Sequence, residues 1–380
     1  MPNHLRPLLV FATFVLFILA GCSRIPDSVK IGVAQPLSGP LKPMGADMLD
    51  GVQLAVNELN AANFNIHGKP VRLEVVSADD KASPGEGKIA ARKLVDAGVV
   101  AVVGHLNSGV SIAAAPIYAQ GSIPQLAIST KPEFTRLNLA TTLRLVANDD
   151  LQSKALGSFA ATQIGGTKFA VVDDGSSYGK GLADLADEQI RLKGQTVVLR
   201  KGLDDKTTNF AGLITELRST GADVFVTTLA DFQVEALIDQ LVRAGLTKIQ
   251  IIGSDNIKTS SLPKAVHGIA AVYATSPIVE TEEFVGGRAF LQKFRHAYGH
   301  DPVYGAQYAY DAIYILCAAM KRGESVDPEK VLAELKRIDA LAPVTNNIRF
   351  KPDGEQFYGV VSVYKVRGGR WEAVTRSDTW

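Results

Sequence analysis

Apolar and polar positions along this chain follow two alternating rhythms. Short runs rich in β-branched residues recur at intervals: Val29 to Val33, Val71 to Val76, Val99 to Val103, Ile123 to Ile128, Phe169 to Val172, Val224 to Thr228 and Ile249 to Ile252. Apolar runs of this length, without polar alternation, are predicted to be strands buried on both faces. Between them lie segments with helical spacing, such as Met48, Val52, Ala55, Val56 and Leu59 after Gly45. Regular strand–helix alternation predicts a mainly parallel sheet with helices on both faces. The alternation starts afresh after Leu143 to Val146, at Asn148-Asp149-Asp150, so two similar lobes are expected rather than one large sheet. The last third differs. Phe284–Tyr298, Gln307–Met320 and Pro328–Ile338 are predicted to be helices in near succession. Ile348–Phe350 and Val360–Val366 are predicted strands with a turn at Asp353-Gly354 between them.

The N-terminus follows another rule. His4 and Arg6 precede the apolar run Leu8–Leu19, too short for a comfortable membrane span and laid out like a secretory signal. The run ends in Leu19-Ala20-Gly21-Cys22, which resembles the lipobox of bacterial lipoproteins. That motif implies acylation of Cys22, an anchor to a bacterial membrane in the periplasm or at the cell surface, and a polar tether to Ser28.

Composition narrows the classes of partner. Lys and Arg total 40 against 39 Asp and Glu, a net charge of +1, and no basic stripe argues for nucleic acid. Cys22 and Cys317 are the two cysteines, so acylation of the first excludes an intramolecular disulfide. No CxxC, HExxH or other clustered metal signature is present, and neither metal nor cofactor is expected.

Candidate chemistry begins where the run Val99–Val103 ends. His105, Leu106 and Asn107 form a tight loop, and Ser108 is predicted to cap a helix through about Ala119. Strand, loop and helix start together place free amides at the carboxyl end of a parallel sheet, where a carboxylate is favoured. Another pattern, Gly175-Ser176-Ser177-Tyr178-Gly179, fits the G-x-S-x-G of a hydrolase elbow. Ser177 would then be the nucleophile, with Asp231 or Asp255 and then His267, His296 or His300 downstream. No oxyanion segment of the HGG type precedes it, and neither a dinucleotide fingerprint nor a Walker A sequence is present.

Several blocks in order are similar to branched-chain amino-acid-binding proteins of ABC transporters. They are Ile31-Gly32-Val33 with Pro36-Leu37-Ser38-Gly39-Pro40, Asp79-Asp80, VVAVVGHLNSG, Ser129-Thr130-Lys131-Pro132, DDGSSYGKGLAD and Gly253-Ser254-Asp255. The resemblance runs from about Val29 to about Gly359. It implies a type I periplasmic-binding-protein fold of two lobes joined by a three-segment hinge. Residues 29–147 and 279–345 would form one lobe, 148–278 and 346–380 the other, after a signal (1–21) and tether (22–28). It implies no enzyme activity. Instead, a small amino acid or amide-like solute is held between closing lobes by a monomer and delivered to an ABC permease and its ATPase. A sensor docking on a membrane receptor is the alternative role.

Carried over, the resemblance assigns Ser108 and backbone near Leu106 to the ligand carboxylate, and Ser129 and Thr130 to both carboxylate and ammonium. Tyr178 reaches in from the second lobe, and Asp255 stands where relatives usually have Glu as the partner of the ammonium. Two features depart from the family pattern: Met44 where an aromatic often covers the side-chain pocket, and Ser83 and Asn107 near an expected disulfide.

Overall fold

A computed structural model describes residues 25–377. The signal segment, Cys22 and the start of the tether lie outside the described residues. Two sheets carry the fold. The first contains β1 (Ser28–Gln35), β2 (Arg72–Asp79), β3 (Val102–Gly104), β4 (Gln125–Ala127) and β5 (Thr142–Arg144), in the order β2-β1-β3-β4-β5, all parallel. The second contains β6 (Lys168–Asp173), β7 (Thr196–Gly202), β8 (Val224–Thr227), β9 (Gln250–Gly253), β10 (Ala271–Ser276), β11 (Ser362–Arg367) and β12 (Arg370–Arg376). Its order is β12-β11-β10-β9-β8-β6-β7; β11 is antiparallel to both β10 and β12, and the other pairs are parallel.

Each sheet is covered on both faces, and its central strands are apolar at nearly every position. In β6, Phe169 and Val171 face a core with Leu182, Ala186 and Ile190 of the helix Ser177–Leu192, while Ala170 and Val172 face a core with Leu213, Leu217, Leu237 and Leu241. That is the period-2 division a doubly covered strand requires. In the first lobe, Val102 and Ala34 pack against Leu94 and Tyr118 on one face, and Ile31, Val33 and Val103 join Met48 and Val52 on the other.

Helices α1 (Lys42–Ala61), α2 (Pro84–Asp96) and α3 (Ser108–Gln120) belong to the first run. In the second run, α4 (Asp149–Ser153) passes directly into a π-helical stretch, Lys154–Ile164, followed by α5 (Ser177–Leu192), α6 (Ala211–Thr220) and α7 (Asp231–Arg243). The late helices α8 (Gly287–Tyr298), α9 (Ala306–Arg322) and α10 (Pro328–Leu335) return to the first lobe, where Phe290, Ile313, Leu316 and Leu335 complete its core. The chain therefore passes between the sheets three times, after β5, after β10 and before β11. No described helix is long and apolar enough to cross a membrane.

Local boundaries differ from expectation in three places. Val99–Ala101 runs beside β1 through Gly32 N to Ala101 O and Val100 N to Lys30 O, but the strand itself starts at Val102. Asn346–Arg349 pairs with Asp339–Ala342; around the Asp353-Gly354 turn it meets only the next few residues, through a Phe350–Gln356 bridge and the Phe357 amide on the Arg349 carbonyl at 2.8 Å, while Ser362–Arg367 joins the second sheet. Ile348 and Phe350 lie in the first core, so the expected lobe boundary at 345/346 falls inside this hairpin. Residues Arg370–Arg376 form an edge strand that alternation alone did not indicate.

Candidate functional site

Ser108 is the first residue of α3, not its cap: Asn107 holds the cap position and neither side chain caps the helix. The Ser108 hydroxyl is thereby free for other partners. It is buried, 2 % exposed, and accepts the Lys131 amide at 3.3 Å. This bond ties the helix start to the Ser129–Lys131 loop after β4. The hydroxyl of Ser129 and the amide oxygen of Asn107 are buried without a partner among the described residues. Hydroxyls, unpaired polar atoms and the open amides of a helix N-terminus form a pole suited to an anion. Leu106, half-buried, packs against the first core beside them.

The opposite pole is acidic. Asp255 is 6 % exposed, just beyond β9. Its Oδ1 accepts the Gln152 amide at 2.8 Å and the Tyr178 hydroxyl, and its Oδ2 accepts the Tyr304 hydroxyl at 2.7 Å. Both tyrosines are held far above their usual range, first by burial and then by the Asp255 charge, so they remain donors. Three donors leave room on a carboxylate with about four lone-pair sites.

Tyr304 and Gln152 were not singled out from the sequence. Tyr304 is aimed by Asp47 of α1, whose carboxylate accepts the amides of Val303 (2.6 Å), Tyr304 (3.0 Å), Gly305 (2.8 Å) and Ala306 (2.9 Å) at the start of α9. An acid at a helix N-terminus is favourable there.

The more consequential omission is Asp149. It opens α4 behind the Asn148 cap, is fully buried, and donates its backbone amide to the Thr130 carbonyl at 2.8 Å. Neither carboxyl oxygen has a partner at hydrogen-bonding geometry among the described residues. Burial pushes its carboxyl up to about 7; the nearby Thr130 hydroxyl and the Arg144 charge oppose that rise, and Asp255 adds to it. Two buried acids within electrostatic range of one another, one without a donor, suit a cation. The signal for Asp149 in the sequence was its place in Asn148-Asp149-Asp150, which a capping role absorbed completely.

The two poles meet across the cleft. A methyl group placed on Gly109 at the start of α3 would sit 3.4 Å from Cβ of Ser177 at the start of α5. The Lys131 ammonium reaches the Ser177 hydroxyl at 3.3 Å, and Tyr304 of the first lobe bonds Asp255 of the second. Tyr178 lies on α5, one residue after Ser177. The lobes are thus closed on one another. A crevice of about 460 Å3, lined by Lys258, Thr259, Gln307 and Trp371 among others, reaches Asp255 and Tyr304 from one side without touching Ser108, Thr130 or Tyr178.

The hydrolase arrangement does not assemble. Ser177 meets Lys131 rather than a histidine. His267 is exposed, with Nδ1 on the Ala265 carbonyl and Nε2 3.4 Å from Asp239, and His300 bonds the Asp301 carbonyl. No group of three or more His, Cys, Asp or Glu able to hold a metal exists among the described residues.

The sequence profile described as "Periplasmic binding protein" matches residues 28–370. This chain belongs to the periplasmic binding protein family. Members of that family are extracytoplasmic solute-binding proteins, not enzymes. The Leu/Ile/Val-binding protein homolog 1 of Brucella melitensis is 29% identical over 346 residues, covering 90% of this chain and 91% of the relative. Among solved structures, the branched-chain amino acid transporter substrate-binding protein LivJ of Streptococcus pneumoniae, in complex with isoleucine, superposes with a TM-score of 0.80 at 24% identity, over 91% of this chain and 99% of that one. A solute-binding protein of an ABC transporter from Rhodopseudomonas palustris, in complex with p-hydroxybenzoic acid, does so with 0.80 at 20% identity, over 92% and 97%. These neighbours establish the type I fold with its two lobes and hinge. In this periplasmic binding protein the Ser108–Lys131 bond joins two first-lobe loops, Lys131 reaches Ser177 beside Tyr178, and Tyr178 and Tyr304 both donate to Asp255.

Proposed function

We propose that this periplasmic binding protein captures a small α-amino acid of the branched-chain type and passes the closed complex to an ABC permease and its ATPase. One pole of the gap, formed by Ser108, Ser129, Thr130 and the α3 amides, would take the carboxylate. The other, Asp255 with Asp149, would take the ammonium, while Tyr178 closes over the ligand. The observation that carries the reading is the buried Asp149 carboxyl, which no donor among the described residues meets at hydrogen-bonding geometry, near the already bonded Asp255. An ammonium supplies the missing donors and the missing charge, whereas a benzoate-type ligand supplies neither. The Leu/Ile/Val-binding relative supports the same class. Fold likeness alone does not select it, since one neighbour holds isoleucine and another p-hydroxybenzoic acid.

The motif at Cys22 supports a lipidated protein tethered to a bacterial membrane, where the closed lobes of a monomer would meet the permease. A receptor-docking sensor would use the same cleft.

Calorimetric titration tests the ligand class. L-Leucine, L-isoleucine and L-valine are expected to bind at about micromolar strength, about 8 kcal/mol, with 4-methylvalerate and p-hydroxybenzoate far weaker. Asp255→Asn is expected to cost the amino acids about 2–5 kcal/mol, because an ammonium would lose a buried counter-charge. Tight binding of the hydroxybenzoate, with no heat from any amino acid, would overturn the assignment.

A further inference from the structure

The loop that carries Ser129 and Thr130 is held from behind by a charge that faces no ligand. Arg144, the last residue of β5, is completely buried. Its Nη1 donates to the Ser129 carbonyl, and its Nη2 donates to the Lys131 carbonyl at 2.9 Å. With both carbonyls turned toward Arg144, the intervening Thr130 carbonyl turns the other way and accepts the Asp149 amide. Two further donors go to Glu355: Nε to Oε2 at 3.0 Å and Nη2 to Oε1 at 3.1 Å. A forked pair of this kind fixes direction as well as distance.

Glu355 comes from far along the chain, on the third passage between the lobes. That passage is seated on the first. The Arg144 amide donates to the Gly354 carbonyl at 2.9 Å. Gly354 has φ +90°, and a Cβ there would lie 2.0 Å from the Thr142 carbonyl oxygen, so only glycine allows this approach. Farther on, a Cβ on Gly359 would lie 2.9 Å from Cα of Ala147 in the first passage. Thr135, on the turn after the ligand loop, also donates to Glu355 Oε1, at 2.5 Å. Burial alone would raise the Glu355 carboxyl, yet the Arg144 charge and its hydrogen bonds, with Thr135 and Asn148, hold it below its usual range.

We infer that Arg144 and Glu355 are positioning residues that couple the hinge to the ligand: the third passage sets the orientation of the Ser129–Lys131 loop through one buried ion pair. Rotation of the lobes that shifts residues 354–359 against β5 moves the guanidinium and, with it, the loop carbonyls. By reciprocity, a ligand that orders the loop favours the hinge setting in which Glu355 can reach Arg144. The inference rests on the cleft being the ligand site, and not on which solute occupies it.

The test compares Glu355→Gln with Leu217→Ala, a core truncation in the second lobe that disturbs stability without touching the passages. Hydrogen exchange on the ligand-free protein gives a readout independent of ligand identity. Glu355→Gln is expected to speed exchange in the peptide 128–134 while leaving the first turns of α3 unchanged. L-Leucine as probe is expected to bind about tenfold more weakly or worse, through faster dissociation, since charged hydrogen bonds to the loop's support are lost. Leu217→Ala is expected to lower the melting temperature with neither change. Should Glu355→Gln not fold, Thr135→Val removes one bond to Glu355 and leaves the ion pair; a smaller loss in the same direction is expected. Unchanged exchange in 128–134, or the same losses in Leu217→Ala, would overturn the coupling. Altered exchange without any leucine binding, in wild type as well, would uphold the coupling and refute the amino-acid reading instead.

Discussion

Asp149 shows how a single side chain can be unfavourable for the empty protein and useful for the complex. Its folded-state value near 7 lies above an unfolded value of about 4. The sign follows: the neutral carboxyl stabilises the fold fully at acid pH, and that contribution is lost as pH rises through 7. An ammonium ligand reverses the preference by pairing with the ionised form. L-Leucine binding at pH 6 is therefore expected to release a proton, and at pH 8.5 almost none, with affinity rising between them. Calorimetry in buffers of different ionisation enthalpy measures this directly. Asp149→Asn is expected to raise the ligand-free melting temperature at pH 8, abolish the proton release, and weaken leucine by about tenfold or more, through loss of a charged hydrogen bond. Equal proton release from wild type and variant would exclude Asp149 from the ammonium pole. This residue was visible in the sequence only as a helix-capping acid. The Thr130 carbonyl that accepts its amide and the Asp255 charge that raises its carboxyl both come from other loops of the chain.

At the scale of elements, helix starts organise the cleft. Helices α3, α5 and α9 all begin there, and each start is fixed by a different device. Lys131 ties down α3, Ser176 caps α5 through the Gly179 amide at 2.9 Å, and Asp47 gathers four amides at α9. The last of these has the largest expected effect. Asp47→Ala would leave several buried amides unpaired and release Tyr304 from its aim at Asp255. A loss of about 2–4 kcal/mol of stability is expected, together with weaker ligand binding, because an unmade buried hydrogen bond costs about 1–3 kcal/mol. Urea unfolding and calorimetry on the same variant check both; a neutral effect on stability would show the amides to be solvated. The alternation of strands and helices was legible because β-branched runs bounded by glycine need no partner to be recognised. The Asp339–Ala342 with Asn346–Arg349 hairpin was not, since short polar strands such as Asn346–Arg349 acquire their pairing from the core beneath Ile348 and Phe350.

For the molecule as a whole, closure is the functional coordinate. Lys131 to Ser177 and Tyr304 to Asp255 bridge the lobes directly, so the closed arrangement holds cross-cleft bonds that an open one loses. A ligand touching both lobes shifts the balance by its differential affinity for the closed state. Saturating L-leucine is expected to lower the radius of gyration in small-angle X-ray scattering, and Lys131→Ala is expected to expand the ligand-free protein. Identical scattering with and without ligand, for both proteins, would argue that the lobes do not hinge.

By itself, the sequence determined the two-lobed parallel architecture, because doubly buried strands and amphipathic helices announce themselves in local composition. It also nominated Ser108, Ser129, Thr130, Tyr178 and Asp255 as candidates, through loops at strand ends whose residue order carries a family resemblance. Only the tertiary structure decided what surrounds them. Asp149 near Asp255, Tyr304 aimed by Asp47, and Arg144 joined to Glu355 are encounters between segments distant along the chain. Burial and unpaired valence arise from those encounters, and no periodicity along one segment encodes them.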